Sequence, residues 1–84
     1  MKYIKLDDIK NIDNPLLIDV RLPSEYIKSH YNNFINIPSS NILNIIGKYP
    51  KNTNIVLYCT HGYQSSISGR MLNNVGYNNI YILR

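Results

Sequence analysis

The chain is short of cysteine, of acidic residues and of long apolar runs, and each shortage excludes something. One cysteine in 84 residues, Cys59, leaves no internal disulfide framework. Together with the two histidines, His30 and His61, it offers no pairing at zinc-ligand spacing, so neither a metal nor another cofactor is expected. No window approaches the roughly 20 apolar residues of a membrane span. The start Met1-Lys2-Tyr3-Ile4-Lys5-Leu6-Asp7-Asp8 does not read as a secretory signal. Low-complexity segments and internal repeats are absent too. Five acids against nine Lys and Arg leave a formal charge of +4. The basic residues are scattered from Lys2 to Arg84, without the contiguous patch that nucleic-acid binding requires. They read as solvated surface, with a mild positive field able to draw in a small anion.

What remains is one domain over residues 1–84, near the small end of what folds alone. Hydrophobic residues at 44% suffice for one core. Tyr3 to Leu6 reads as a first short strand, and Asp7 to Ile12 as a helical turn with acids at its positive end. Asp13-Asn14-Pro15 breaks that turn. Leu16 to Val20 alternates too little for a surface strand and suits a central parallel one. Pro23-Ser24-Glu25 has the chemistry of a helix start, with Glu25 read as a helix-start or ion-pair residue. Phe34 to Ile37 is a third strand, stopped by Pro38. Ser39 or Ser40 can cap a helix whose face is Ile42, Leu43, Ile45 and Ile46 and which Gly47 ends. Ile55 to Tyr58 is a buried strand. A helix with face Ile67, Met71, Leu72 and Val75 follows, closed by Gly76, and Ile80 to Leu83 is the last strand. Five short strands alternating with helices imply an α/β fold: a mainly parallel sheet with helices on both faces.

Cys59 therefore stands on a strand-to-helix turn, at the carboxyl end of a strand, where open α/β sheets bind ligands. Successive amides in such a turn form an anion-binding concavity, and the helix start adds about half a positive charge. That setting favours the thiolate, the nucleophilic form. A buried structural cysteine is the alternative. Two reaction classes use a cysteine in an anion-binding turn. A cysteine phosphatase needs a guanidinium at the end of its loop to clamp phosphoryl oxygens. Here Gln64 and Ser65 occupy that region, and Arg70 lies well inside the helix, so sulfur transfer is the better reading.

Cys59-Thr60-His61-Gly62-Tyr63-Gln64-Ser65-Ser66 resembles the active-site loop of rhodanese-type sulfurtransferases. It is most similar to the Cys-x-His-Gly-x-x-Ser loop of single-domain bacterial thiosulfate sulfurtransferases. Leu17-Ile18-Asp19-Val20-Arg21, Glu25-Tyr26, His30 and Ile35-Asn36-Ile37-Pro38 match a second signature of that family in order and spacing. Gly76 to Tyr81 matches its helix exit and final strand. Two positions depart from the pattern: Gln64 stands where many loops carry arginine, and the chain ends without the usual Gly-Gly and aromatic tail. The resemblance implies the three-layer rhodanese-like fold. It implies Cys59 as nucleophile, Thr60, His61, Gly62, Tyr63, Gln64 and Ser65 around the substrate, and Asp19 and Arg21 as supports of the loop. It further implies a small anionic sulfur donor such as thiosulfate and a thiol or thioredoxin-like acceptor. A monomer in the cytoplasm is expected, acting on no nucleic acid and no membrane. His61 can bond to substrate or merely orient the loop, Tyr63 can shape access or be plain surface, and His30 reads as structural. The second hypothesis is a module that holds a persulfide or an anion without efficient turnover.

Overall fold

The computed structural model describes Met1–Arg84. Its strands are β1 (Lys2–Ile4), β2 (Leu16–Asp19), β3 (Ile35–Asn36), β4 (Ile55–Tyr58) and β5 (Ile80–Leu83). Two α-helices, α1 (Pro23–Lys28) and α2 (Tyr63–Asn74), and two 3₁₀ segments, Leu6–Asn11 and Ser39–Ile45, connect them. The strands form one sheet in the order β1-β5-β4-β2-β3, with every pair parallel. The apolar strand β4 lies at its centre between β5 and β2, where both faces are covered.

The larger core lies between the sheet and α2 with the second 3₁₀ segment. It holds Ile18, Val20, Ile42, Ile45, Ile55, Leu57, Leu72, Tyr77, Ile80 and Ile82 together with Cys59. Tyr77 is wholly buried, and its hydroxyl donates to the carbonyls of Tyr49 (2.7 Å) and Ile45 (3.2 Å), so its polar end is satisfied. On the other face Phe34, Val56 and Leu83 pack with Ile9, Ile12, Leu17 and Tyr58, and the first 3₁₀ segment supplies the cover. No helix is long and apolar enough to cross a membrane.

Several local expectations need correction. The first strand stops at Ile4, because the Lys5 amide donates to the Asp8 carboxylate (3.2 Å) and the chain turns into the 3₁₀ segment. The third strand pairs only at Ile35 and Asn36, while Phe34 turns its ring into the core. The segment after Pro38 is 3₁₀ rather than α, and neither Ser39 nor Ser40 caps it. With three residues per turn, positions i and i+3 align, so Ile42 and Ile45 face inward while Leu43 and Ile46 face solvent.

The face of α2 is also displaced from its apolar stripe. Ser65, Ser68, Gly69 and Leu72 are its buried residues, and Met71 and Val75 pack at the flank. Small residues let this helix sit close to the sheet: a Cβ at Gly69 would lie 3.2 Å from Ile80 and 3.3 Å from Ile82. The helix ends as expected at Gly76 (φ +102°), where the Gly76 amide donates to Asn73 (3.1 Å) and that of Tyr77 to Leu72 (3.0 Å), a Schellman pair. The Lys51 ammonium donates to the Val75 carbonyl, placing a cation on the negative end of the helix.

The close approach strands the Ser68 hydroxyl, which is fully buried and has no partner. An unsatisfied buried hydroxyl costs about 1–3 kcal/mol, and alanine is the better helix former. Ser68→Ala is therefore expected to stabilise the fold by about 1 kcal/mol, read as a rise in urea midpoint at unchanged slope.

Candidate active site

The pleat of β4 aims the cysteine. Side chains alternate along a strand, so Ile55, Leu57 and Cys59 share the α2 face while Val56 and Tyr58 share the other. Cys59 follows the last residue of β4 and is 4% exposed. Its Sγ accepts the amide N–H of Ser65, in the first turn of α2, at 3.3 Å. Between them the chain reverses through Gly62, whose φ of +80° is left-handed and suits a residue without Cβ. The amides of Thr60, His61, Gly62, Tyr63 and Gln64 donate to no carbonyl or side chain, whereas Ser66 donates to Gly62 (3.0 Å). These are the orphan donors of a helix start and the turn before it, and they remain open to an anion.

Of the seven residues expected at the sulfur, counting Cys59 itself, five line one cavity and a sixth closes beneath it. Glu25, Cys59, Thr60, His61, Tyr63 and Gln64 line a cavity of about 300 Å³. Ser65 lies under it, wholly buried, its hydroxyl without a partner and its amide on the sulfur. Gly62 supplies the turn rather than a wall. Tyr63 is 73% exposed at the mouth, while the thiol forms the floor.

The conformational demand at Gly62 can be separated from any steric one. A Cβ there would meet nothing within 4 Å, and the same holds at Gly47, φ +83°, far along the chain from the cysteine. Alanine at either position is expected to cost about 1–2 kcal/mol of backbone strain. Only Gly62→Ala should also slow alkylation of Cys59, since it alone deforms the turn carrying the amides. Denaturation paired with iodoacetamide kinetics on both variants checks this.

Asp19 and Arg21 behave differently from the expectation. They grip each other: Arg21 Nε donates to Oδ1 (3.0 Å) and Oδ2 (3.1 Å), Nη2 to Oδ2 (2.8 Å), and the Arg21 amide to Oδ1 (3.0 Å). Arg21 Nη2 also donates to the Ser29 carbonyl (2.7 Å) beyond α1. Neither residue bonds to the cysteine loop. Asp19 is in register with Tyr58, so the pleat puts the pair on the face opposite Cys59, and the guanidinium lies 5.3 Å from the Tyr58 ring centre. The pair braces the exit of β2 and the end of α1, reaching the loop only through strand pairing. Hydrogen bonding to Asp19 raises the Arg21 pKa above its ordinary value against some desolvation, and burial raises that of Tyr58 against the pull of Arg21. Asn36 reinforces the bend, its Nδ2 donating to the carbonyls of Asp19 and Arg21, both at 3.0 Å. His30 is structural: its ring stacks on Tyr26 with centroids 3.7 Å apart, and Nδ1 lies 2.8 Å from the Tyr26 carbonyl.

Glu25 is the site residue that sequence reasoning missed. It stands in the first turn of α1 as expected, but it also lines the cysteine cavity, and it makes no ion pair. The usable signal was positional: α1 begins just beyond β2, at the same sheet edge as Cys59.

Comparison with known proteins agrees with this geometry. The family model described as a rhodanese-like domain matches residues 4–84. The tRNA uridine(34) hydroxylase of Yersinia pestis (strain Pestoides F) is 35% identical over 94% of this chain. The chain spans about a quarter of the length of that relative. A structure of rhodanese with anions from E. coli aligns with TM-score 0.74 and 31% identity, covering 81% of this chain and 82% of that one. A rhodanese-related protein from Thermoplasma volcanium aligns with TM-score 0.80 and 28% identity, covering 100% of this chain and 84% of that one. With the parallel sheet, the strand-to-helix cysteine and the family match in agreement, the chain belongs to the rhodanese-like domain family.

Proposed function

We propose that this domain transfers sulfane sulfur through a persulfide on Cys59. The observation that carries the reading is the Cys59 sulfur on the cavity floor, taking the Ser65 amide at 3.3 Å beneath a run of amides with no other partner. The thiolate attacks the outer sulfur of a donor such as thiosulfate, the donor's S–S bond breaks, and sulfite leaves. Cys59 keeps the sulfur as a persulfide, whose terminal negative charge the amides hold in place. A thiol, cyanide or a thioredoxin-like protein then removes that sulfur, completing a ping-pong cycle. The scheme requires no general base beyond what keeps the thiol ionised, and a reducing compartment such as the cytoplasm suits it. Intact-mass measurement after incubation with a sulfane donor, without reductant, should show one added sulfur that cyanide or a dithiol removes. An unchanged mass with every donor would overturn the reading.

A second reading rests on the named relatives. Their similarity to this chain covers about a quarter of their length, so this domain can serve as the cysteine-bearing part of a longer protein acting on tRNA uridine. A gel-shift titration with tRNA separates the two: binding that survives physiological salt favours it, and its absence leaves the sulfur-transfer reading.

A further inference from the structure

The Cys59 cavity is lined by no lysine and no arginine. Of its lining residues only Glu25 is a carboxylate. Glu25 has no ion-pair partner: the single ion pair of the protein joins Arg21 and Asp19 at 2.8 Å, and Arg21 acts on Glu25 only through a weaker, longer-range attraction. Arg21 is bound on both Asp19 oxygens and on the Ser29 carbonyl, and it lines a different cavity of about 330 Å³ with His30, Tyr31 and Tyr58. Gln64 brings a neutral amide and Tyr63 an exposed ring to the mouth. The net charge of +4 is thus spent elsewhere on the surface.

Resting on the reading that Cys59 carries sulfur, we propose that Glu25 sets the donor preference of this site, favouring a thiol persulfide, R–S–S⁻, over thiosulfate. The loop amides hold the charge on one outer sulfur, and both donors present one. Thiosulfate adds a sulfonate, which carries a second negative charge towards the mouth and meets the Glu25 carboxylate, which has no ion-pair partner there. A persulfide places a carbon-bearing group there instead, against the Tyr63 ring. In the transfer, Cys59–S⁻ and R–S–S⁻ give Cys59–S–S⁻ and R–S⁻. The new S–S bond forms on the cysteine, the donor's S–S bond breaks, and the leaving thiolate takes its proton from solvent. No oxidant or reductant is consumed. With thiosulfate the leaving group is sulfite, a dianion that must depart past the same carboxylate.

The test is the rate of sulfur loading on Cys59, followed by quenched intact-mass measurement with thiosulfate, glutathione persulfide and a persulfidated protein thiol at matched concentrations. The expected result is faster loading from the persulfides, and the faster of those two identifies a small or a macromolecular source. Glu25→Gln should raise the thiosulfate-to-persulfide rate ratio about fivefold, the effect of one unit charge across a solvent-exposed mouth. Added salt should raise thiosulfate loading more in the native protein than in Glu25→Gln, since the former has one more repulsion to screen. Gln64→Arg, which supplies the missing cation, should shift the ratio the same way. Faster loading from thiosulfate in the native protein, or a ratio unmoved in both variants, overturns the assignment while sulfur transfer stands. Loading from none of the three overturns both.

Discussion

Cys59→Ser is expected to fold and to take up no sulfur. Serine is the closest replacement in shape, and its oxygen can still accept the Ser65 amide that now rests on Sγ at 3.3 Å. Cys59 is 4% exposed, but the Ser65 amide and the polar lining of the cavity meet it there, so the added polarity should cost only about 1 kcal/mol. The chemical loss is of another order. An alcohol is almost wholly protonated where a thiol is partly ionised, and an alkoxide is a poor nucleophile towards sulfane sulfur. No other cysteine exists to take over. The rate of sulfur uptake should fall by more than about a thousandfold, the scale on which removing a nucleophile acts. Intact mass after donor treatment reads the chemistry, and thermal denaturation of the same sample shows that the fold survives. Sulfur uptake by the variant would mean that the nucleophile lies elsewhere.

The largest stability effect is expected at Arg21, not in the apolar core. Asp19 is wholly buried, and Arg21 side-chain nitrogens bind both of its oxygens. Arg21→Ala leaves that carboxylate without its counter-charge and frees the Ser29 carbonyl as well. Breaking a buried pair from one side costs about 3–5 kcal/mol. A chain of this size has roughly 4–13 kcal/mol in total, so the variant should be marginal at room temperature. The loss belongs to the orphaned charge more than to the pair. Replacing both partners, as in Asp19→Leu with Arg21→Met, should recover most of it. Arg21→Lys should recover only part, since an ammonium cannot span both oxygens in the plane of the carboxylate. Urea denaturation of the three variants separates these cases. Equal losses in the single and double variants would show that Arg21 acts through packing alone.

The two predictions lie on opposite faces of one sheet, which explains why sequence spacing misjudged their relation. The resemblance implies Asp19 and Arg21 as supports of the cysteine loop, and all three residues do stand at the same strand ends. The pleat separates them: Asp19 is in register with Tyr58, and Cys59 is one residue further, facing the other way. That parity was present in the sequence, but it becomes usable only once the pairing of β2 with β4 is known. The third helix went astray for a related reason. The same isoleucines serve an α or a 3₁₀ segment, and only packing selects which of them turn inward.

By itself the sequence determined the local events: that five short strands alternate with helical segments, that Gly76 closes the last helix, and that Cys59 rides a turn into that helix. Those follow from the dihedral preferences and side-chain periods of neighbouring residues, which a linear reading contains. Tertiary structure alone decided the strand order β1-β5-β4-β2-β3, the face of α2 built from Ser65, Ser68 and Gly69, and the meeting of Glu25 with Cys59 in one cavity. Those depend on which distant surfaces pack together, and residues 34 positions apart become neighbours only when the sheet brings the ends of β2 and β4 to the same edge.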